Sequence, residues 1–181
     1  MAFPAGESRY VYRLQSRTQA VQGDAGAQVD SWSTDATFRG GRKQDTQPGE
    51  SMIGAEITQT AHELIPTRYR AGITADKRLI RERDNTTLSG AIDNATTSIT
   101  LASALKLNQN GEYIAIGSEF MCVTAGATGT SLTVERGALG ATKASHADGA
   151  TVYRIEKLDI VGIASENELA DELVVRAARV G

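Results

Sequence analysis

Apolar and polar residues alternate with period two through most of the chain, the pattern of half-buried strands rather than helices. Tyr10-Val11-Tyr12-Arg13-Leu14-Gln15 is the first such run. Asp24-Ala25-Gly26 supplies a turn, and a strand-like run resumes from Trp32 to Arg39. Ala61 to Arg70 is again strand-like but contains Pro66. A proline donates nothing to a ladder, so this strand is expected at an edge or a bulge. Leu79-Ile80 starts another strand. Near the end, Leu158–Ile163 and Leu173–Ala177 read as two strands joined by the polar segment Ser165–Asp171. One short helix is expected between Glu50 and Thr60, and Asn167–Glu172 has a helical turn as its alternative reading.

Four shorter strands fall between these groups: Ser98–Leu101, Tyr113–Ile116, Phe120–Val123 and Ser131–Val134. Turn signals separate them at Asn110-Gly111, Gly117-Ser118, Gly126–Gly129 and Gly137–Gly140. The strongest hairpin signal is Tyr113–Ile116 with Phe120–Thr124 around Gly117-Ser118-Glu119. No internal repeat holds a fixed period.

Composition divides the chain at the same places. Residues 1–83 hold twelve of the 19 basic residues and every proline, whereas residues 84–155 hold only four basic residues and no proline. Residues 156–181 return to high charge. The expected fold class is therefore all-β: a small antiparallel barrel or sandwich from residues 1–83 plus 156–181, with a second small all-β domain, residues 84–155, inserted near the C-terminal hairpin. Such insertions usually replace an exposed loop tip. Two small domains in 181 residues would each be marginal alone. The net charge of −3 argues against a general nucleic-acid binder. No apolar run approaches the roughly 20 residues that cross a bilayer. The N-terminus lacks the basic start and apolar stretch of a secretory signal, so synthesis in the cytoplasm and no membrane partner are expected.

Candidate chemistry is sparse. His62 and His146 have neither zinc-site nor catalytic spacing, and read as a strand and a turn residue. Cys122, the single cysteine, reads as a small buried strand residue. Gly126–Gly129 lacks the lysine and helix of a phosphate loop. No enzymatic activity, catalytic residue, cofactor or metal is expected. More informative is the polar, glycine-bearing stretch Arg39-Gly40-Gly41-Arg42-Lys43-Gln44-Asp45-Thr46-Gln47-Pro48-Gly49, read as a mobile excursion between strands. A second basic group, Arg68, Arg70, Lys77, Arg78, Arg81 and Arg83, is read either as one basic face or as a solubilising surface.

The outer segments resemble the phage head–tail joining proteins, also called head-closure or stopper proteins. The resembling pieces are Tyr10–Arg17, Gln22–Trp32, Gly49–Glu56, Thr60–Thr74 with its Tyr69-Arg70-Ala71-Gly72-Ile73 signature, Asp159–Ala164 and Glu172–Ala178. Typical members lack the insert, which itself resembles a β-module recurring in phage virion proteins. It carries Thr97–Leu101, Gly111–Glu119, Leu132–Thr142 and His146–Ala150. The resemblance implies a small β-barrel forming a ring, usually of six copies, in the virion neck at the head–tail interface. Its partners would be the portal or adaptor protein on one side and the tail terminator or tail-tube protein on the other. The loop Arg39–Gly49 would project into the channel and retain packaged DNA, and Arg68, Tyr69 and Arg70 would make subunit or docking contacts. The alternative is a carbohydrate- or host-surface-binding β-module of a virion with the insert as its active part. Exposed aromatics would favour it, yet the insert offers only Tyr113, Phe120 and Tyr153.

Overall fold

The computed structural model describes residues 10–18, 31–41, 43–44, 49–53, 56–60, 62–68, 72–164 and 172–179. The chain is all-β and antiparallel, and the single helical element among the described residues is a 3-10 turn, Ala138–Gly140. The strands are β1 (Tyr10–Thr18), β2 (Ser31–Gly40), β3 (Lys43–Gln44), β4 (Gly49–Ile53), β5 (Glu56–Thr60), β6 (His62–Arg68) and β7 (Arg78–Thr87). They continue as β8 (Ser98–Thr100), β9 (Tyr113–Ile116), β10 (Glu119–Ala125), β11 (Ser131–Arg136), β12 (Thr151–Ala164) and β13 (Glu172–Arg179). The main sheet is open, as in a sandwich, rather than closed into a barrel.

Two compact units divide the chain: Met1–Ser16 with Thr34–Arg81 and Lys157–Gly181, and Arg17–Ser33 with Glu82–Glu156. The chain passes between them inside β1, β2, β7 and β12, not through loop tips. Residues 78–87 contain neither glycine nor proline, so nothing in the sequence interrupts that ladder.

In the first unit, β2 pairs with β1 and β1 with β7, while β12, β13, β6 and β3 follow one another. The segments before and after the insert thus share one sheet: β6 and β13 pair over seven positions, from Glu172↔Arg68 to Ala178↔His62. Pro66 lies opposite Val174. On the other side of β6, β3 reaches only Leu64 and Glu63. Among the described residues no strand pairs with Pro66 on that side. Period two in β1 places Tyr12 and Leu14 in a core with Phe38, Ile65, Ile73, Leu79, Leu158, Ile160 and Val175. The Tyr12 and Phe38 rings stack at 5.6 Å, 20° apart, and the Tyr12 hydroxyl donates to the Gly41 carbonyl at 2.9 Å.

The helix expected between Glu50 and Thr60 is instead a hairpin, with β4 and β5 paired from Gly49↔Thr60 to Ile53↔Glu56. Ile53, Ile57, Thr58 and Thr60 are β-branched, and their stiff side chains suit a ladder better than a helical turn. Of the segment read as a hairpin loop or helical turn, residues 165–171 lie outside the described residues, and Glu172 opens β13. Across β12 and β13 the register shifts between Ile160 and Gly162. Val161 is the extra residue of this bulge, and it is 47% exposed.

The second unit orders its strands β12-β9-β10-β11-β8. The β9–β10 hairpin closes through Gly117-Ser118, with Ile116 opposite Glu119. A bridge from Leu88 to Leu101 ties the residue after β7 to the residue after β8. Inside lie Leu88, Ile92, Ile99, Leu101, Leu105, Leu107, Ile114, Ile116, Met121, Val123, Ala127, Leu132, Val134 and Val152. Cys122 is not among them. It is half-buried, because its neighbours Met121 and Val123 take the inward positions. The register of β10 on β11 slips at Thr124, between Val123↔Val134 and Ala125↔Thr133, and Gly126 follows with φ +81°.

Candidate functional site

Burial in β11 alternates strictly, with Leu132, Val134 and Arg136 all facing inward. The apolar period thus ends on an arginine whose side chain is only 1% exposed. A buried guanidinium needs a counter-charge and hydrogen-bond acceptors. Glu119, the first residue of β10, supplies both. It is itself fully buried, and it binds Arg136 in a two-pronged pair: Nε to Oε1 at 2.7 Å and Nη2 to Oε2 at 2.8 Å.

The rest of the cluster is loop backbone. Arg136 Nη1 donates to the carbonyls of Asp93 at 2.7 Å and Thr96 at 2.9 Å, and Nη2 to that of Ala144 at 2.5 Å. Glu119 accepts from the backbone N–H of Gly137 at 3.3 Å and of Ala144 at 3.0 Å. His146 Nε2 lies 2.8 Å from Glu119 Oε2. Its backbone exchanges two hydrogen bonds with Ile92, both 2.9 Å. The Asp93 carboxylate folds its own loop, accepting from the N–H groups of Ala95 and Thr96 and from the Thr96 hydroxyl. One glutamate and one arginine therefore fasten two irregular segments, 93–96 and 137–146, to the sheet.

Burial alone would raise the Glu119 pKa, but the Arg136, Ala144 and His146 hydrogen bonds outweigh it and hold the carboxyl at about 2, against an ordinary 4.5. A depressed carboxylate stabilises the fold fully above its unfolded value and loses that contribution as pH falls through the folded one. Stability measured by urea unfolding is expected to fall between pH 4.5 and pH 2, by about 3 kcal/mol in total from this group. The Glu119→Gln variant should lose that component of the pH dependence.

Both Glu119 oxygens are engaged, one by two donors and the other by three. Nothing in this arrangement leaves the carboxylate available as a base or nucleophile. Its chemistry is that of a fastening. Among the described residues no group of histidine, cysteine and carboxylate side chains is arranged to hold a metal ion.

Apart from His146, the residues singled out in the sequence lie elsewhere. Arg39 and Gly40 end β2, and Gly41 accepts the Tyr12 hydroxyl. Lys43 and Gln44 are not a bare excursion but the strand β3, set against Leu64 and Glu63 of the strand that Arg68 ends. Gly49 begins β4. Arg42, Asp45, Thr46, Gln47, Pro48, Tyr69 and Arg70 lie outside the described residues. The second basic group is not one exposed face. Arg78 and Arg81 are buried, Arg81 with no exposed area and its guanidinium 5.6 Å from the Tyr10 ring centroid. Arg78 donates from Nε to Gln15 Oε1 at 2.8 Å. Lys77 pairs with Asp35 at 2.8 Å and Arg83 with Glu156 at 3.1 Å. His146, read as a turn residue, belongs to the fastening. The chain matches no protein-family model and no curated protein.

Proposed function

We propose that the chain is a structural subunit of the neck of a tailed bacteriophage, a ring-forming head-closure protein that joins the portal side of the head to the tail and helps retain packaged DNA. The observation that carries this reading is the β6–β13 pairing. The resembling segments are far apart in the chain, yet Thr60–Thr74 and Glu172–Ala178 contribute adjacent strands of one sheet. Tyr10–Ser16 lies in β1 of the same unit, and Asp159–Ala164 in β12. A closed ring repeats one contact between unlike surfaces, so small domains gain stability from their neighbours. The partners are further copies of the chain, most simply six, with the portal or adaptor protein, the tail terminator or tail-tube protein, and the DNA in the channel.

The glycan-binding reading draws less support. Phe120 is buried and Tyr113 and Tyr153 are half-buried, and the only exposed large apolar side chain among the described residues is Val161. Stacking on sugars requires an aromatic face open to solvent.

Mass measurement of the full chain, alone and mixed with portal-complex proteins, tests the ring. Assembly should give a species of about 115 kDa, six times 19.2 kDa, or incorporation into the portal complex. A chain that stays monomeric under both conditions and binds glycans instead would overturn the assignment.

A further inference from the structure

Asn110-Gly111 forms an exposed turn before β9. In a flexible peptide this dipeptide is the one most prone to deamidate, because glycine places no side chain in the way of ring closure. The Gly111 nitrogen attacks the Asn110 side-chain carbonyl carbon, its proton is lost, and the amide nitrogen leaves as ammonia. Water then opens the cyclic imide at either carbonyl to give aspartate or isoaspartate. The other asparagine turns, Asn94-Ala95 and Asn108-Gln109, carry a Cβ on the attacking residue and react more slowly.

The fold engages both reacting groups. The Gly111 N–H donates to the Val123 carbonyl at 2.7 Å, and Val123 returns a bond to Glu112 at 2.8 Å, so the attacking nitrogen belongs to a ladder. The Asn110 side-chain oxygen accepts from the Ala127 N–H at 3.3 Å, which fixes the electrophile. The Asp148-Gly149 turn, prone to isomerise through the same imide with loss of water, is tied in the same way. Asp148 Oδ1 accepts from Gly90 N–H at 2.7 Å and Gly149 N–H donates to Leu88 at 3.1 Å.

We propose that Asn110 is a fold-gated modification site, deamidating through Gly111 only when the corner between Asn110 and Ala127 opens. Asp at this position would keep the acceptor for Ala127. Isoaspartate adds a methylene to the backbone and would displace Gly111 from Val123, so the modification would mark molecules that have opened there. Access to the reaction is then governed by local opening rather than by surface exposure.

The test is peptide mapping by mass spectrometry of the full chain, held for weeks at mildly alkaline pH, with one sample native and one in urea. The native chain is expected to form aspartate and isoaspartate at Asn110 at least roughly fivefold more slowly than the unfolded one. A smaller ratio would show that exposure of the turn suffices, and would overturn the proposal.

Discussion

Replacing Arg136 with methionine should destabilise the protein by roughly 3–5 kcal/mol, the range for breaking a buried ion pair by removing one partner. The effect is large because the substitution strands Glu119, which has no exposed area. It also deprives the carbonyls of Asp93, Thr96 and Ala144 of their shared donor. Methionine preserves much of the packing volume, so the loss reports the polar contacts rather than a cavity. Chemical denaturation of the wild type, Arg136→Met, Glu119→Gln and the double variant forms a cycle that isolates the pair. Strong coupling is expected, with the double variant less damaged than the two single losses added together. Additive losses would mean that the pair holds nothing jointly.

Gly126→Ala is expected to cost roughly 3 kcal/mol or more, from two causes acting together. At φ +81° an L-residue is strained, by about 1–2 kcal/mol. In addition, the new Cβ would lie 2.1 Å from the Ser131 carbonyl oxygen. That oxygen is backbone at the start of β11, so relief requires moving the strand that bears Leu132, Val134 and Arg136. Gly117→Ala is the comparison, since nothing lies within 4 Å of a Cβ there and only the positive φ, +59°, opposes it. Thermal or urea unfolding should place Gly126→Ala clearly below Gly117→Ala. Equal losses would mean that the close approach to Ser131 relaxes freely.

The Arg136–Glu119 pair is partly legible in the sequence. Leu132-Thr133-Val134-Glu135-Arg136 keeps period two to its end, so the alternation that marks the strand also puts Arg136 on its apolar face. An arginine at a core position implies a buried acid. Which acid is not legible, because Glu119 lies 17 residues away and the choice depends on the β10–β11 register. His146 carried less signal still. Its place beside Glu119 follows from the path of an irregular loop, which no periodicity describes.

The basic residues show the reverse case. As a charged run, Lys77, Arg78, Arg81 and Arg83 look like one surface, yet the fold buries Arg78 and Arg81 and pairs Lys77 and Arg83 separately. Charge along a chain says nothing about which sheet face a residue occupies once a strand is covered on both sides.

By itself the sequence determined that this protein is all-β and where most of its strands and turns lie. Those features depend on local periodicity and on backbone freedom at single residues such as Gly117. The tertiary structure alone decided that 50–60 forms a hairpin, that β7 and β12 run unbroken from one unit into the other, and that Glu119, Arg136 and His146 meet. Strand pairing is non-local: its register sets which distant groups share a buried space, and that is where the strongest polar interactions of this fold reside.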